Sequence, residues 1–274
     1  MRASRTGRSV RIALLLLLAT FALFPLLWMV SVSLMAPGEA SQFPPPLLPA
    51  EPGLDAYRAL FATTGIARYF LNSLIVATLA TLLSLTFNTA AGYAFAKLRF
   101  KGRDRLFQLL LAALVIPAQV TMLPLFLMLK QFGLINSFAG VLVPLVTSIF
   151  GIFLVRQYAL SIPDELLEAA RVDGASEGRI FVQIALPVLI PILITLALFS
   201  FLAAWNDFMW PLIVLSDQNL YTLPVALAAL SREHVQDNEM MMAGSVLTIV
   251  PVLLLFLALQ RYYLQGLLAG SVKG

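Results

Sequence analysis

The sequence predicts an all-α integral membrane protein with six spanning helices, and three observations carry that expectation. Charged residues make up only 12% of the 274, about half the ~25% of an ordinary soluble domain. That leaves too little polar surface to cover a globule in water. Mean hydropathy is +0.91, and the apolar residues gather into runs of about 20, the length a helix needs to cross the hydrocarbon core of a bilayer. The basic residues concentrate between alternate runs, the pattern that orients spanning helices. The chain has no cysteine and one histidine, His234, which excludes disulfides, thiolate nucleophiles and Cys-rich or His-rich metal centres.

The runs lie near 12–35, 71–96, 106–129, 138–158, 186–215 and 242–263. Each is expected to be helical, because lipid offers no partner for a free backbone group. Pro25, Pro117, Pro124, Pro144 and Pro251 fall inside them, as packed spanning helices tolerate. The first run follows a tail, 1–11, that carries Arg2, Arg5, Arg8 and Arg11. It continues through Trp28 to Met35 with no convincing cleavage site, well past the ~7–15 apolar residues of a signal peptide. It is read as a retained span.

The connection 36–70 contains FPPPLLPAEPG (43–53), where repeated Pro favours extended chain. LDAYRALF (54–61) then predicts a short surface helix. The fifth run is too long for one straight crossing and is expected to tilt or to break near Pro211. In the loop 216–241, Asp217, Glu233, Asp237 and Glu239 read as a solvated face. With one His and no paired spacing, a metal site there is disfavoured.

Orientation follows from Lys and Arg. Fourteen of the 18 basic residues fall on one side: Arg2, Arg5, Arg8 and Arg11; Lys97, Arg99, Lys101, Arg103 and Arg105; Arg156, Arg171 and Arg179; Arg261 and Lys273. Arg58, Arg68, Lys130 and Arg232 fall opposite or at the border. Both termini are thus expected in the cytoplasm, as an even number of spans requires. KLRFKGRDR (97–105) reads as an orientation signal beside anionic lipid rather than as a nucleic-acid site.

Between the fourth and fifth runs lies SIPDELLEAARVDGASEGRIFVQIALP (161–187). Ser161 with Asp164 resembles a capping box, and Pro163 suits a first helical turn. DELLEAARVD has good helix formers throughout, and Gly174 is placed to end that helix in a left-handed conformation. A second helix is expected from about Ser176 toward Pro187. Ala169 and Ala170 allow close approach of another surface, with Glu168 beside them as an acceptor for Arg or Lys. Two readings stand: a docking patch for another protein, or a surface loop in which Glu168 and Arg171 pair at i, i+3.

The string Glu168-Ala169-Ala170, three residues, Gly174, nine residues, Ile184, one residue, Leu186-Pro187 resembles the EAA motif of ABC importer permeases. NSLIVATLATLLSLTFNTAAGYAFAKLRFKGRD (72–104), VIPAQVTMLPLF (115–126), WNDFMWPLIVL (205–215), YTLPVAL (221–227) and QRYYLQGLLAGSVKG (260–274) are similar to the maltose/oligosaccharide branch, specifically its second, six-span permease subunit. The resemblance implies a type I importer permease fold with a core over 71–265 and a short cytoplasmic tail, 266–274. It implies four kinds of partner: a second permease subunit, two ATPase subunits, an external solute-binding protein and membrane lipid, with no nucleic acid. Glu168, Ala169, Ala170, Asp173 and Gly174 would then belong to the surface that docks on the ATPase, and Ile184, Leu186 and Pro187 to the return into the fifth span. The bacterial or archaeal cytoplasmic membrane is the implied location.

No cofactor is expected on this chain. ATP and Mg belong, on this resemblance, to the partner ATPase subunits, and GLLAGSVKG (266–274) lacks the spacing and the following helix of a P-loop. Asn88, Asn206 and Asp207 are candidates for the translocation path. Asp207 has two further readings, as a helix cap before Pro211 or as a structural partner. Tyr93, Trp205 and Trp210 read as interfacial anchors, with sugar stacking as the second reading. Two alternatives to a sugar permease remain: a permease for glycerol phosphate or another polar solute, and an ion-coupled carrier or channel, for which Asp207 is the one acid within a proposed span.

Overall fold

The computed structural model describes residues 5–233 and 237–269, with side chains left out at 5–10, 232–233 and 261–269. Arg2, Arg5, Arg8, Arg232, Glu233, His234, Arg261 and Lys273 therefore lie outside the described side chains. Among the described residues the chain is mostly helical, with no strand. It divides into two units: Met1–Arg68 with Ala226–Pro251, and Tyr69–Val225 with Val252–Gly274.

Four helices are long and apolar enough to cross a membrane. These stretches are Arg11–Ser33, Ile66–Lys97, Glu177–Trp205 and Asn238–Gln260, and two bent helix pairs bring the total to six if each pair is one span. The first stretch lies in α1 (Arg5–Ser33). Its window is wholly unburied, and Leu15, Leu17 and Phe21 are exposed. After α1 the Pro-rich connection does not float free. Glu39 is buried and accepts backbone N–H bonds from Ala36 at 3.0 Å and Ala50 at 2.7 Å, while Ser31 Oγ donates to the Leu47 carbonyl at 2.6 Å. The short helix expected over 54–61 is α2 (Asp55–Thr63).

The second span is α3 (Ile66–Lys97). The third does not run straight. α4 (Arg103–Ala113) and α5 (Ala118–Gln131) meet at 103° across Leu114–Pro117. Pro117 is extended, at φ −61° and ψ 135°. A proline has no N–H to continue the ladder, and it disfavours helical backbone in the residue before it. The fourth span also bends, by 44°. α6 (Phe138–Leu142) and a 3₁₀ turn, Val143–Leu145, which carries Pro144, end at Leu145, and α7 (Ile149–Ala159) starts after its N-cap Ser148.

Two short helices follow, α8 (Asp164–Val172) and α9 (Glu177–Ile180). The fifth span is α10 (Leu186–Trp205). The expected break near Pro211 falls three residues earlier, at Asn206–Phe208, and α11 (Met209–Val214) carries Pro211. α12 (Leu223–Glu233) and α13 (Asn238–Ala269) complete the chain. The acidic face expected in loop 216–241 needs correction at Glu239. That residue is 1% exposed, and its Oε1 accepts the Ala40 N–H at 2.8 Å. Asp237 caps α13 by accepting the Met240 N–H at 2.9 Å.

The second unit has a core at each end. At one end Tyr93, Val155, Ala159, Leu167, Ile180 and Leu189 pack together. At the other, Val76, Leu129, Val141, Trp210 and Val214 do so. Lipid tails are as apolar as leucine, so close van der Waals fit, rather than exclusion of water, holds such helices together. Gly92 shows this. A Cβ there would lie 2.7 Å from Val155 Cβ, so α3 and α7 touch because the position is glycine. Gly92→Ala is expected to destabilise the detergent-solubilised protein by about 1–3 kcal/mol, read as a lower midpoint in thermal unfolding.

Tyr93 and Trp210 are in these interiors, and Trp205 is buried as well. Tyr93 packs on Phe181, Trp205 stacks on Phe201 and meets Phe70 edge-on, and the Trp210 indole donates to the Gly140 carbonyl at 3.2 Å. None is an interfacial anchor or open to a sugar. Burial between helices took the faces that either role needs.

Candidate functional site

The segment 161–187 closes one end of the second unit. The expected capping box is absent. Pro163 stands at the N-cap of α8 with no side-chain cap, and Ser161 Oγ instead donates to the Tyr158 carbonyl at 2.7 Å. Ser161 thereby finishes the preceding helix. Asp164 and Glu165 occupy the first turn of α8, where the helix dipole favours negative charge.

Lys97, the last residue of α3, ties α8 down. Its side chain is 4% exposed, and Nζ donates to the Ile162 carbonyl and to Asp164 Oδ1, both at 2.6 Å. The hydrogen bond from Lys97 holds the Asp164 carboxyl below its usual range. Leu167 points inward and is 1% exposed, a burial that contributes about 1.5–3 kcal/mol. The opposite face of α8 is open: Leu166, Ala169 and Val172, the last 87% exposed, follow one another at three-residue spacing.

The end of α8 is a Schellman motif. The Ala175 N–H donates to the Ala170 carbonyl and the Gly174 N–H to that of Arg171, each at 3.0 Å. Gly174 has φ +83°, the left-handed conformation this motif requires. Ala170 and Ala175 both rest on the core below. Ser176 then caps α9, accepting the Arg179 N–H at 3.4 Å.

The reversal at Gly174 redirects Arg171. It pairs with Glu177 rather than Glu168, with Nε donating to Oε1 at 2.6 Å and Nη2 to Oε2 at 3.3 Å. This contact holds the Arg171 pKa above its ordinary value. Glu168 forms no hydrogen bond or ion pair among the described residues. It lines an open cavity of about 910 Å³ with Lys97, Arg99, Arg103, Arg171 and Glu177. Asp173 and Ala169 are exposed beside it. Arg156, Arg171 and the basic loop 97–105 thus share this end of the unit, and Arg156 lies 4.1 Å over the Phe107 ring.

Phe181–Ala185 is a turn of π-helix, in which the Leu186 N–H reaches back to the Phe181 carbonyl. Single π turns inside helices occur frequently at functional sites. Ile184 is half-buried on the core, Leu186 is half-buried, and Pro187 is exposed. Helical periodicity gave no sign of the π turn. The following Pro187, which cannot donate, is its one sequence correlate.

Asn88 is fully buried. Its Nδ2 donates to Ser84 Oγ at 2.7 Å, and its Oδ1 accepts the Ser148 N–H at 3.0 Å, which fixes the start of α7. Asn206 caps α10, its amide donating to the Leu202 carbonyl at 2.9 Å. Asp207 Oδ1 accepts the Trp210 N–H at 3.3 Å, the helix-cap role before Pro211. These three residues do not converge on one surface.

The far end is latched by residues that the sequence reading did not single out as partners. Asn72 donates to the Asn219 and Tyr221 carbonyls, Ser73 Oγ accepts the Leu223 N–H, and Asn136 Oδ1 accepts from Ser216 and Asp217. Asn136 has φ 57°, a conformation that Asn tolerates.

Residues 88–268 match the family described as "Binding-protein-dependent transport system inner membrane component". The chain is 39% identical, over 94% of its length and 93% of the relative's, to the arabinooligosaccharides transport system permease protein AraQ of Halalkalibacterium halodurans. It is 32% identical, over the full length of both, to the melibiose/raffinose/stachyose import permease protein MelC of Bacillus subtilis. Among solved structures it is similar to a chain of a bacterial ABC transporter involved in the import of the acidic polysaccharide alginate. That likeness has a TM-score of 0.84 at 25% identity and covers 96% of this chain and 99% of the other.

Proposed function

This chain belongs to the inner membrane components of binding-protein-dependent transport systems, and on that premise we propose that it forms half the pore of an ATP-driven importer of a sugar, an oligosaccharide or a related polyol. It is a multi-pass permease of the ABC importer class. A second permease subunit completes the pore, two ATPase subunits bind from the cytoplasm with one of them docked on α8, and an external solute-binding protein delivers the sugar. ATP and Mg are bound and ATP is hydrolysed on those partners. The termini lie in the cytoplasm, the side that the Lys and Arg bias favours.

One observation carries the reading. α8 offers the exposed stripe Leu166–Ala169–Val172 and the unpaired Glu168, while Leu167, Lys97 and the Arg171–Glu177 pair hold it firmly against the helices beneath. A surface that is open on one side and rigidly seated on the other transmits a push. The ion-coupled alternative needs a free intramembrane acid, and Asp207 is engaged as a helix cap. The glycerol phosphate alternative is disfavoured because the relatives named above carry sugars.

The test is reconstitution of the full complex in proteoliposomes with its binding protein. Uptake of a radiolabelled arabino-oligosaccharide or of raffinose should require ATP. Uptake at the same rate without nucleotide would overturn the assignment.

A further inference from the structure

The basic loop after α3 is more organised than an orientation signal requires. Charge alone biases a span, and a loose solvated turn would supply it. Here the segment 98–102 is seated. The Arg103 guanidinium donates to the Leu98 carbonyl at 3.3 Å, and the Arg103 N–H to the Phe100 carbonyl at 3.4 Å. Phe100 packs on Phe95 with ring centroids 5.8 Å apart, Phe95 on the buried Phe107 at 5.5 Å, and Phe107 on Phe153 of α7 at 6.5 Å. Gly102, at φ +83°, turns the chain into α4.

Residues 99–105 border an open hollow of about 770 Å³. Four of its seven lining residues are cations: Arg99, Lys101, Arg103 and Arg105. The one acid among them, Asp104, is already taken, accepting from Arg103 Nε at 3.1 Å. Arg99, Lys101 and Arg105 are exposed and form no hydrogen bond or ion pair among the described residues. Like charges gathered on a seated loop repel one another, and an anion in the hollow relieves that repulsion. Phosphate suits it, because its oxygens accept charge-assisted hydrogen bonds from guanidinium and ammonium groups.

An apolar strip follows the cations. Leu106 and Leu109 of α4 are 49% and 67% exposed. Leu109 lies four residues beyond Arg105, about 6 Å along the helix and on the same face. Cations first and leucines next, starting one residue past the end of a spanning helix, match the order of headgroup and acyl chain in a phospholipid. A soluble phosphate would use the cations and leave the leucines bare.

We propose that residues 99–109 form a binding site for an anionic phospholipid, with Arg99, Lys101 and Arg105 meeting its phosphate and Leu106 and Leu109 its acyl chains. Phosphatidylglycerol represents the class. Arg99 and Arg103 also line the cavity beside α8, so the bound headgroup borders the proposed docking helix. The site lies outside the transport reading and is independent of the cargo.

The natural absence of cysteine in this chain supplies the test. Gln108→Cys, exposed beside Leu109, is labelled with bimane in the assembled complex in nanodiscs, with the equally treated native complex as the blank. Brominated phosphatidylglycerol should quench the label at a several-fold lower mole fraction than brominated phosphatidylcholine. Each basic residue near the surface contributes about fivefold in affinity, so Lys101→Gln/Arg105→Gln should lower that preference roughly tenfold or more. Arg58→Gln, at the external helix α2, should keep it. Co-purification of the ATPase subunits checks that the double variant inserts the right way round; if it does not assemble, Arg105→Gln alone should lower the preference about fivefold. Equal quenching by the two lipids, or a preference unchanged in the variants, overturns the site. Loss of quenching on adding inorganic phosphate makes it a site for a soluble anion and overturns the lipid assignment.

Discussion

Gly174→Leu is expected to lower ATP-driven uptake by roughly tenfold or more, while Gly174→Asn keeps most of it and both variants insert normally. The reasoning starts at the backbone. Gly174 has φ +83°, and a Cβ there would meet nothing within 4 Å. Leucine would not clash with any neighbour, so its cost is purely conformational, about 1–2 kcal/mol for a side chain held in the left-handed region. The chain can escape that cost by abandoning the Schellman turn. Doing so breaks the bonds from Ala175 to Ala170 and from Gly174 to Arg171 and removes the reversal that brings Arg171 to Glu177. α8 then loses its fixed angle, and a docked ATPase moves a loose lever. Asparagine tolerates the left-handed region, so its retained activity separates backbone geometry from side-chain loss. The measurements are uptake in proteoliposomes and ATPase activity stimulated by the loaded binding protein. A Gly174→Leu complex with wild-type uptake would refute the model.

The ends of the mechanism were legible in the sequence to different degrees. Gly174 could be read because a single residue type satisfies the turn, and the spans because composition and length are local properties. The 103° bend at Leu114–Pro117 was visible only as a proline that bundles ordinarily tolerate. Nothing local says that Ile116 and Pro117 break the helix while Pro191, inside α10, does not. The latches at the far end join residues nearly 150 positions apart, as Asn72 joins Tyr221. No pattern within either segment encodes that pairing. Glu239 was misread for the same reason: an acid in an outer loop is ordinarily solvated, and only the folded connection around Ala40 buries it. Arg171 had two acidic neighbours in sequence, and the three-dimensional turn chose Glu177.

Lys97→Met is expected to uncouple the transporter, leaving ATPase activity while sugar uptake falls several-fold. Methionine preserves the length and apolar stem of the buried side chain, so packing around α3 changes little. What disappears is the double contact of Nζ with the Ile162 carbonyl and Asp164. The carbonyl is left without its donor, a penalty of about 1–3 kcal/mol for a buried acceptor. The first turn of α8 is then released from the second span. Asp164→Asn tests which half of that contact matters. Asp164 is exposed, and its carboxyl is held below the ordinary 3.8 by the hydrogen bond from Lys97. A lowered folded-state pKa means that the ion pair contributes above the ordinary value and fades only as pH falls through the lowered one. Near neutral pH the pair is fully formed, yet solvent screens its outer member. Asp164→Asn should therefore leave uptake close to wild type, with an unchanged pH profile around neutrality. The buried Lys97–Ile162 bond is the part that carries force. If Lys97→Met imports as many sugars per ATP as the native chain, α8 is held by its core contacts alone, and the strap is dispensable.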